Sequence, residues 1–421
     1  MSQPLTHPVG ELHKIRWMEI CPWLILVKAL RVTLLIRVLV FAWIGVALTD
    51  WGWGELDRLF SFRPATINSE GVIPEEAIPG VMASGTLNLG VIERLSAAPK
   101  SLIDPSIPPN GPFLRGWFWL SEPFLRVVDK ELSWRSSLGW TLHGIWAIVV
   151  WAIFGGSIAR IAALYLTRGE TIGPMLALRD ATALWPGTTG APLIVLLAAV
   201  AMAVPLVLLG FLLRLNLMAV AAGLIWIVVF AWGLMLAVVL LGLLVGWPLM
   251  WACLGVERSD AFDGVSRCYA YVYQKPLQLA FYVVVATLLG LLGEGVVTHF
   301  AAATISLSEW VLSWGTGSLR AAELLDADWR SSAVPLATRA INGWQQGLES
   351  LTASFPLACL WPLSVGIYLL LRNEVDATEM DEVTLSGGNL PLGLPGLTSE
   401  GAGASETKQP STNGTADAND E

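Results

Sequence analysis

Long apolar runs broken by short charged stretches dominate the chain. A membrane-crossing helix needs about 20 mostly apolar residues to span about 30 Å of hydrocarbon. Six such runs occur: Val32 to Gly52, Leu138 to Leu164, Ala191 to Leu213, about Ala222 to Leu249, Leu277 to about Phe300, and Leu351 to Leu371. The pattern predicts an all-α polytopic membrane protein with six transmembrane helices and interfacial amphipathic helices. Five parts follow: a cytoplasmic N-terminal segment (1–31), a first span (32–53), an extracytoplasmic Pro-rich loop with a surface helix (54–137), a five-span core (138–371) and an acidic, disordered cytoplasmic tail (372–421).

Basic residues near the span ends set the orientation. Lys14, Arg16, Lys28, Arg31 and Arg37 precede or open the first span. They place the N-terminus in the cytoplasm, and six spans return the C-terminus there. The N-terminal basic region is too long for a cleaved signal, and no A-x-A site follows the apolar run. The 21 tryptophans fit a membrane. Trp51, Trp53 and Trp140 fall at outer span ends and Trp247 and Trp251 at an inner one, as an aromatic belt does.

Between the spans, Arg63 to Pro112 is Pro-rich and without helical or alternating period. Ser121-Glu122-Pro123 then reads as a helix start. Phe124, Leu125, Val128 and Leu132 continue it at helical spacing, with Glu122–Arg126 and Glu131–Arg135 as i,i+4 pairs. The helix lies on the outer membrane surface or packs against the bundle; the pattern fits both.

Composition narrows the class. The 421 residues are 54% hydrophobic and only 14% charged, against about 25% charged in soluble domains. A net charge of −9 argues against a nucleic-acid partner, which requires a basic patch. Residues 372–421 hold two basic and ten acidic groups, so nearly all of that charge belongs to the tail. The four cysteines, Cys21, Cys253, Cys268 and Cys359, form no C-x-x-C pair and predict neither a disulfide framework nor a zinc site. No Walker loop or H-E-x-x-H motif is present, and no cofactor is expected. Gly155-Gly156-Ser157 and Gly242-x-x-x-Gly246 read as sites of close helix packing.

A repeated pattern supplies the candidate interface. The second span ends near Arg160 and Arg168; Glu170 follows, then a short helical stretch from Pro174 to Trp185 with Arg179. The fourth span ends before Glu257, and a helix from Asp260 to Gln274 follows with Asp263 and Arg267. Internal duplication as two parallel helix-pair repeats, or convergence on the same interfacial chemistry, accounts for this. Ser259 or Asp260 caps the second helix, and Asp263–Arg267 is an i,i+4 pair. That helix lies flat on the inner leaflet or closes the bundle, as a structural plug or a partner-docking element. Within the spans Glu294 is the outstanding polar residue, sharing a helix face with Thr287, Gly290 and Thr298, with His299 and His143 near the outer surface. An ionisable group in a span is a functional candidate by default.

The segment Glu257 to Pro276 (ERSDAFDGVSRCYAYVYQKP), the run Gly155 to Ala162 and the run Tyr368 to Asp381 together resemble uncharacterised multi-pass inner-membrane proteins of planctomycete-type bacteria. The resemblance covers spans two to six. It implies a shared fold and an inner-membrane location, and no activity. Cys268 departs from the small polar residue expected there. The leading expectation is a non-catalytic membrane protein for assembly, scaffolding or regulation, with the lipid bilayer and a cytoplasmic or membrane protein as partners. The alternative is a small-solute transporter or permease subunit.

Overall fold

The computed structural model describes residues 21–60, 111–127, 134–215, 220, 223, 226–317, 324 and 335–383. The Pro-rich stretch, Lys14 and Arg16, the Glu131–Arg135 pair and the tail from 384 lie outside the described residues. Among the described residues ten α-helices follow in order: α1 Ile25–Thr33, α2 Ile36–Phe60, α3 Pro112–Val127, α4 Trp134–Arg168, α5 Pro174–Leu212, α6 Trp226–Glu257, α7 Ala261–Gln274, α8 Pro276–Thr316, α9 Pro335–Ala353 and α10 Phe355–Asp376. No strand occurs among the described residues. Among the described residues six helices are long and apolar enough to cross a membrane: α2, α4, α5, α6, α8 and the α9–α10 unit. These are the six spans expected, and the chain is an all-α polytopic membrane protein.

The helix α10 forms the axis. Every residue from Phe355 to Arg372 is buried, as a helix apolar on all sides must be. The helices α1, α3, α4, α6 and α8 pack around it. Tryptophans fill the centre. Trp361 stacks on Trp251 at 4.9 Å between ring centroids and on Trp151 at 5.9 Å. Trp247 meets Trp361 edge-on. The small residue at Gly155 makes the stack possible: a Cβ there would come within 2.7 Å of the Trp361 ring. Gly242 likewise accommodates Tyr269, so both glycine motifs do mark close packing.

The helices α5, α6 and α8 behave differently. Their most apolar stretches are mostly exposed within the chain, which suits lipid contact. Three helices, α4, α6 and α10, stop at the same end of the bundle with a residue in the left-handed region: Gly169, Arg258 and Ala377. Two of these are not glycine and carry a strain of about 1–2 kcal/mol each.

Several expectations change. The helix expected from Ser121 starts nine residues earlier, at Pro112, whose fixed φ suits a first helical turn. Ser121 is mid-helix and donates to Trp117 O. This α3 packs into the bundle, with Phe113, Trp117 and Leu120 buried. Gly116 allows it to cross directly over the Pro356 carbonyl. Upstream, Pro22 to Thr33 is helical, and Ile25, Leu26, Ala29 and Val32 are fully buried against the core. Trp251 and Trp53 are buried and Trp247 half-buried, so these are packing residues; Trp51 alone of the expected belt is largely exposed. The two segments of the repeated pattern are also built differently. The stretch from Pro174 runs unbroken as α5 through Pro186, Pro192 and Pro205, whereas α7 is a separate helix between α6 and α8. That α7 packs along α6, where the Tyr269 hydroxyl donates to Val239 O at 2.6 Å and Tyr273 donates to Val238 O.

Candidate functional site

The end of the bundle where α4, α6 and α10 stop carries a network of charges built on Glu257. The last turn of α6 presents this carboxylate to three donors. Tyr368 of α10 donates its hydroxyl to Oε1 at 2.6 Å. Arg267 of α7 reaches both oxygens, at 3.0 and 2.9 Å. Arg372 of α10 approaches Oε1 at 3.4 Å. Arg372 is 3% exposed, and its Nη2 also donates to Glu379 O at 2.9 Å and Glu382 O at 2.7 Å. It therefore clasps the strand of chain leaving α10 back onto the bundle, where Val383 is buried.

The helix α7 owes its place to its cap. Asp260 accepts from Asp263 N at 2.9 Å, satisfying one of the open donors of the first turn. Asp263 then accepts from Arg267 Nε at 2.9 Å. Burial alone lowers the Arg267 pKa; the hydrogen bond to Asp263 and the charge of Glu257 outweigh it and raise it. Tyr271 donates to Asp376, and burial, reinforced by that carboxylate, raises its pKa. Burial likewise raises the Cys268 thiol well above its ordinary value, so it sits as an inert packing thiol.

A second cluster adjoins the first through α6. Arg160, 1% exposed, lies 3.3 Å from Asp180 Oδ2 and donates Nη1 to Gly255 O at 3.0 Å. Arg258 approaches the same Asp180 oxygen at 3.2 Å. A guanidinium on the last carbonyls of α6 also meets the negative end of that helix. The partner of Arg160 is thus Asp180, and Arg179 beside it is exposed, as are Arg168 and Glu170. Of the eight interface candidates, Glu257, Asp260, Asp263 and Arg267 come together, Arg160 joins through α6, and Arg168, Glu170 and Arg179 stay at the surface.

The intramembrane polar residues do not form one site. Glu294 is paired with Arg115 of α3, the helix that covers the face shared by Thr287 and Gly290. Gly111 lies against Thr287 and Leu291, and Pro112 against Gly290. Trp117 donates to Leu244 O at 2.9 Å and Trp247 to Ser121 Oγ at 3.1 Å, fixing the far side of α3. His143 lies 2.7 Å from Gly139 O and 3.1 Å from Asp57 Oδ1. His299 lies 2.6 Å from Gly295 O, within its own helix. Among the described residues no group of three His, Cys, Asp or Glu is arranged to hold a metal ion.

No spacing or motif in the sequence marks Tyr368, Asp180 or Arg115 as part of a site. Arg372 at a span end gave some signal. The role of Arg115 gave none, because its partner is 179 residues away. No family profile matches the chain, and no curated protein or solved structure is detectably similar to it.

Proposed function

We propose that the chain is a non-catalytic, non-conducting scaffold of the bacterial inner membrane that holds a protein partner at its Glu257 end. The filled axis carries this reading. Among the described residues α10 is buried from Phe355 to Arg372 and the Trp151–Trp361–Trp251 stack fills the centre, which favours a closed bundle over a conducting one. The basic residues of the N-terminal segment support a cytoplasmic placement for both termini and for the Glu257 network. There the network is half open: the Arg267 side chain is 38% and that of Asp376 36% exposed. Phe262, on the first turn of α7, is 69% exposed. An exposed aromatic beside a half-exposed charge network suits an interface core and its polar rim. Membership of the planctomycete-type group belongs to the same proposal.

A photo-cross-linking residue at Phe262 tests it in native membranes. The expected result is one discrete adduct, lost when Arg267 is replaced by Glu. Absence of any adduct at Phe262, with protein-dependent solute flux in vesicles, would favour the small-solute transporter. The observation behind that second reading is Glu294 on the membrane-crossing helix α8, paired with Arg115 of α3.

A further inference from the structure

The Arg115–Glu294 pair is open where the membrane should press on it. Exposed apolar side chains run along α8 from Leu277 to Leu312, a stretch of about 53 Å at 1.5 Å per residue. The hydrocarbon slab takes about 20 of these residues. Every 20-residue window within 277–312 contains Glu294, so wherever along this stretch the slab sits the pair lies in the hydrocarbon or at its headgroup edge. Yet the side chains keep 32% and 20% exposure. Bare charge facing hydrocarbon is strongly disfavoured, so a polar group that arrives through the bilayer fits this place.

The pair defines the chemistry of that group. Arg115 sits in the first turn of α3, at the positive end of that helix. Its Nε is buried without a hydrogen-bond partner. Glu294 puts a negative charge directly beside it. An anion alone would be repelled by Glu294, and a cation alone by Arg115. A headgroup with phosphate and ammonium a few atoms apart meets both. The approach is apolar, along Leu291 and Leu288, both exposed. Beneath the pair the way is closed, because Gly290 packs against Pro112 and Cys359.

We propose that a zwitterionic phospholipid docks at the junction of α3 and α8, its phosphate on Arg115 and the first turn of α3, its ammonium on Glu294. The chains lie along the exposed face of α8. This goes beyond the scaffold reading and does not depend on it.

Native mass spectrometry of the full chain tests the site after reconstitution in equal amounts of phosphatidylethanolamine and phosphatidylglycerol. One phosphatidylethanolamine should stay bound, enriched about tenfold, as expected for a charge-assisted contact. Glu294→Gln should return the ratio to that of the bilayer, and Arg115→Gln should lose the lipid. Leu291→Trp fills the approach and leaves the ion pair alone, so it should also lose the lipid; it carries the test if Arg115→Gln does not fold. Soluble glycerophosphoethanolamine at millimolar concentration should not displace the lipid. Equal retention of phosphatidylglycerol, enrichment that survives Glu294→Gln or Leu291→Trp, displacement by the soluble headgroup, or no retained lipid would each overturn the proposal.

Discussion

Replacing Glu257 by Gln keeps the shape of the network and removes its central charge. Three partners feel the change, and their burial sets the cost. Arg372 is 3% exposed, and an unpaired buried charge costs about 3–5 kcal/mol. It keeps the Glu379 and Glu382 carbonyls, and its distance to Glu257 is long, so about 2 kcal/mol applies. Tyr368 exchanges a carboxylate acceptor for an amide oxygen and loses about 1 kcal/mol. Arg267 is 38% exposed and keeps Asp263, so its part is screened to at most about 0.5 kcal/mol. The total is about 3–4 kcal/mol, which lowers Tm by about 6–8 °C at roughly 2 °C per kcal/mol. Arg267→Gln, by contrast, should cost at most about 1 kcal/mol. Thermal unfolding of the detergent-solubilised full chain, followed by the burial-sensitive fluorescence of its tryptophans, reads both. A Glu257→Gln protein within about 2 °C of the parent, or an Arg267→Gln protein that loses as much, would refute the assignment of Glu257 as the hub.

Other expectations follow from the packing. Gly155→Val forces atoms into the Trp361 ring and should destabilise by about 1–3 kcal/mol in the same assay. Trp361→Ala removes the middle of the stack and should cost about 3–5 kcal/mol, with a loss of near-ultraviolet circular dichroism. Burial pushes the Tyr269 hydroxyl up to about 12 from 10. Its proton is then held more tightly in the folded chain, so the stability it lends is complete below pH 10 and falls between about pH 10 and 12. A Tm-against-pH series should show that fall in the parent and a shallower one in Tyr269→Phe.

The six spans are legible because length and apolarity alone decide them. The start of α3 is not, since Pro112 closes a Pro-rich run and also opens a helix; only the packing of Phe113 and Trp117 tells the two roles apart. The helix α1 is masked by Lys28 and Arg31, which read as a loose basic segment while its other face is fully buried. Trp247 and Trp251 illustrate a further limit. Indole suits both the headgroup level and a close-packed core, and which it occupies depends on Trp361, more than a hundred residues away. For the candidate site the local parts were readable: the Asp260 cap and the Asp263–Arg267 pair are spacings within one helix. Asp180 is not distinguishable from its neighbour Arg179 by pattern, because which of them is used depends on which face of α5 meets α4. The long-range partners Tyr368, Arg372 and Arg115 come together only through the arrangement of helices around α10.

The filled axis is the centre of the account, and a permeability measurement tests it most directly. Vesicles containing the purified full chain should release or take up small ions, amino acids and glycerol at the rate of protein-free vesicles of the same lipid. A protein-dependent, saturable flux that Glu294→Gln abolishes would contradict it.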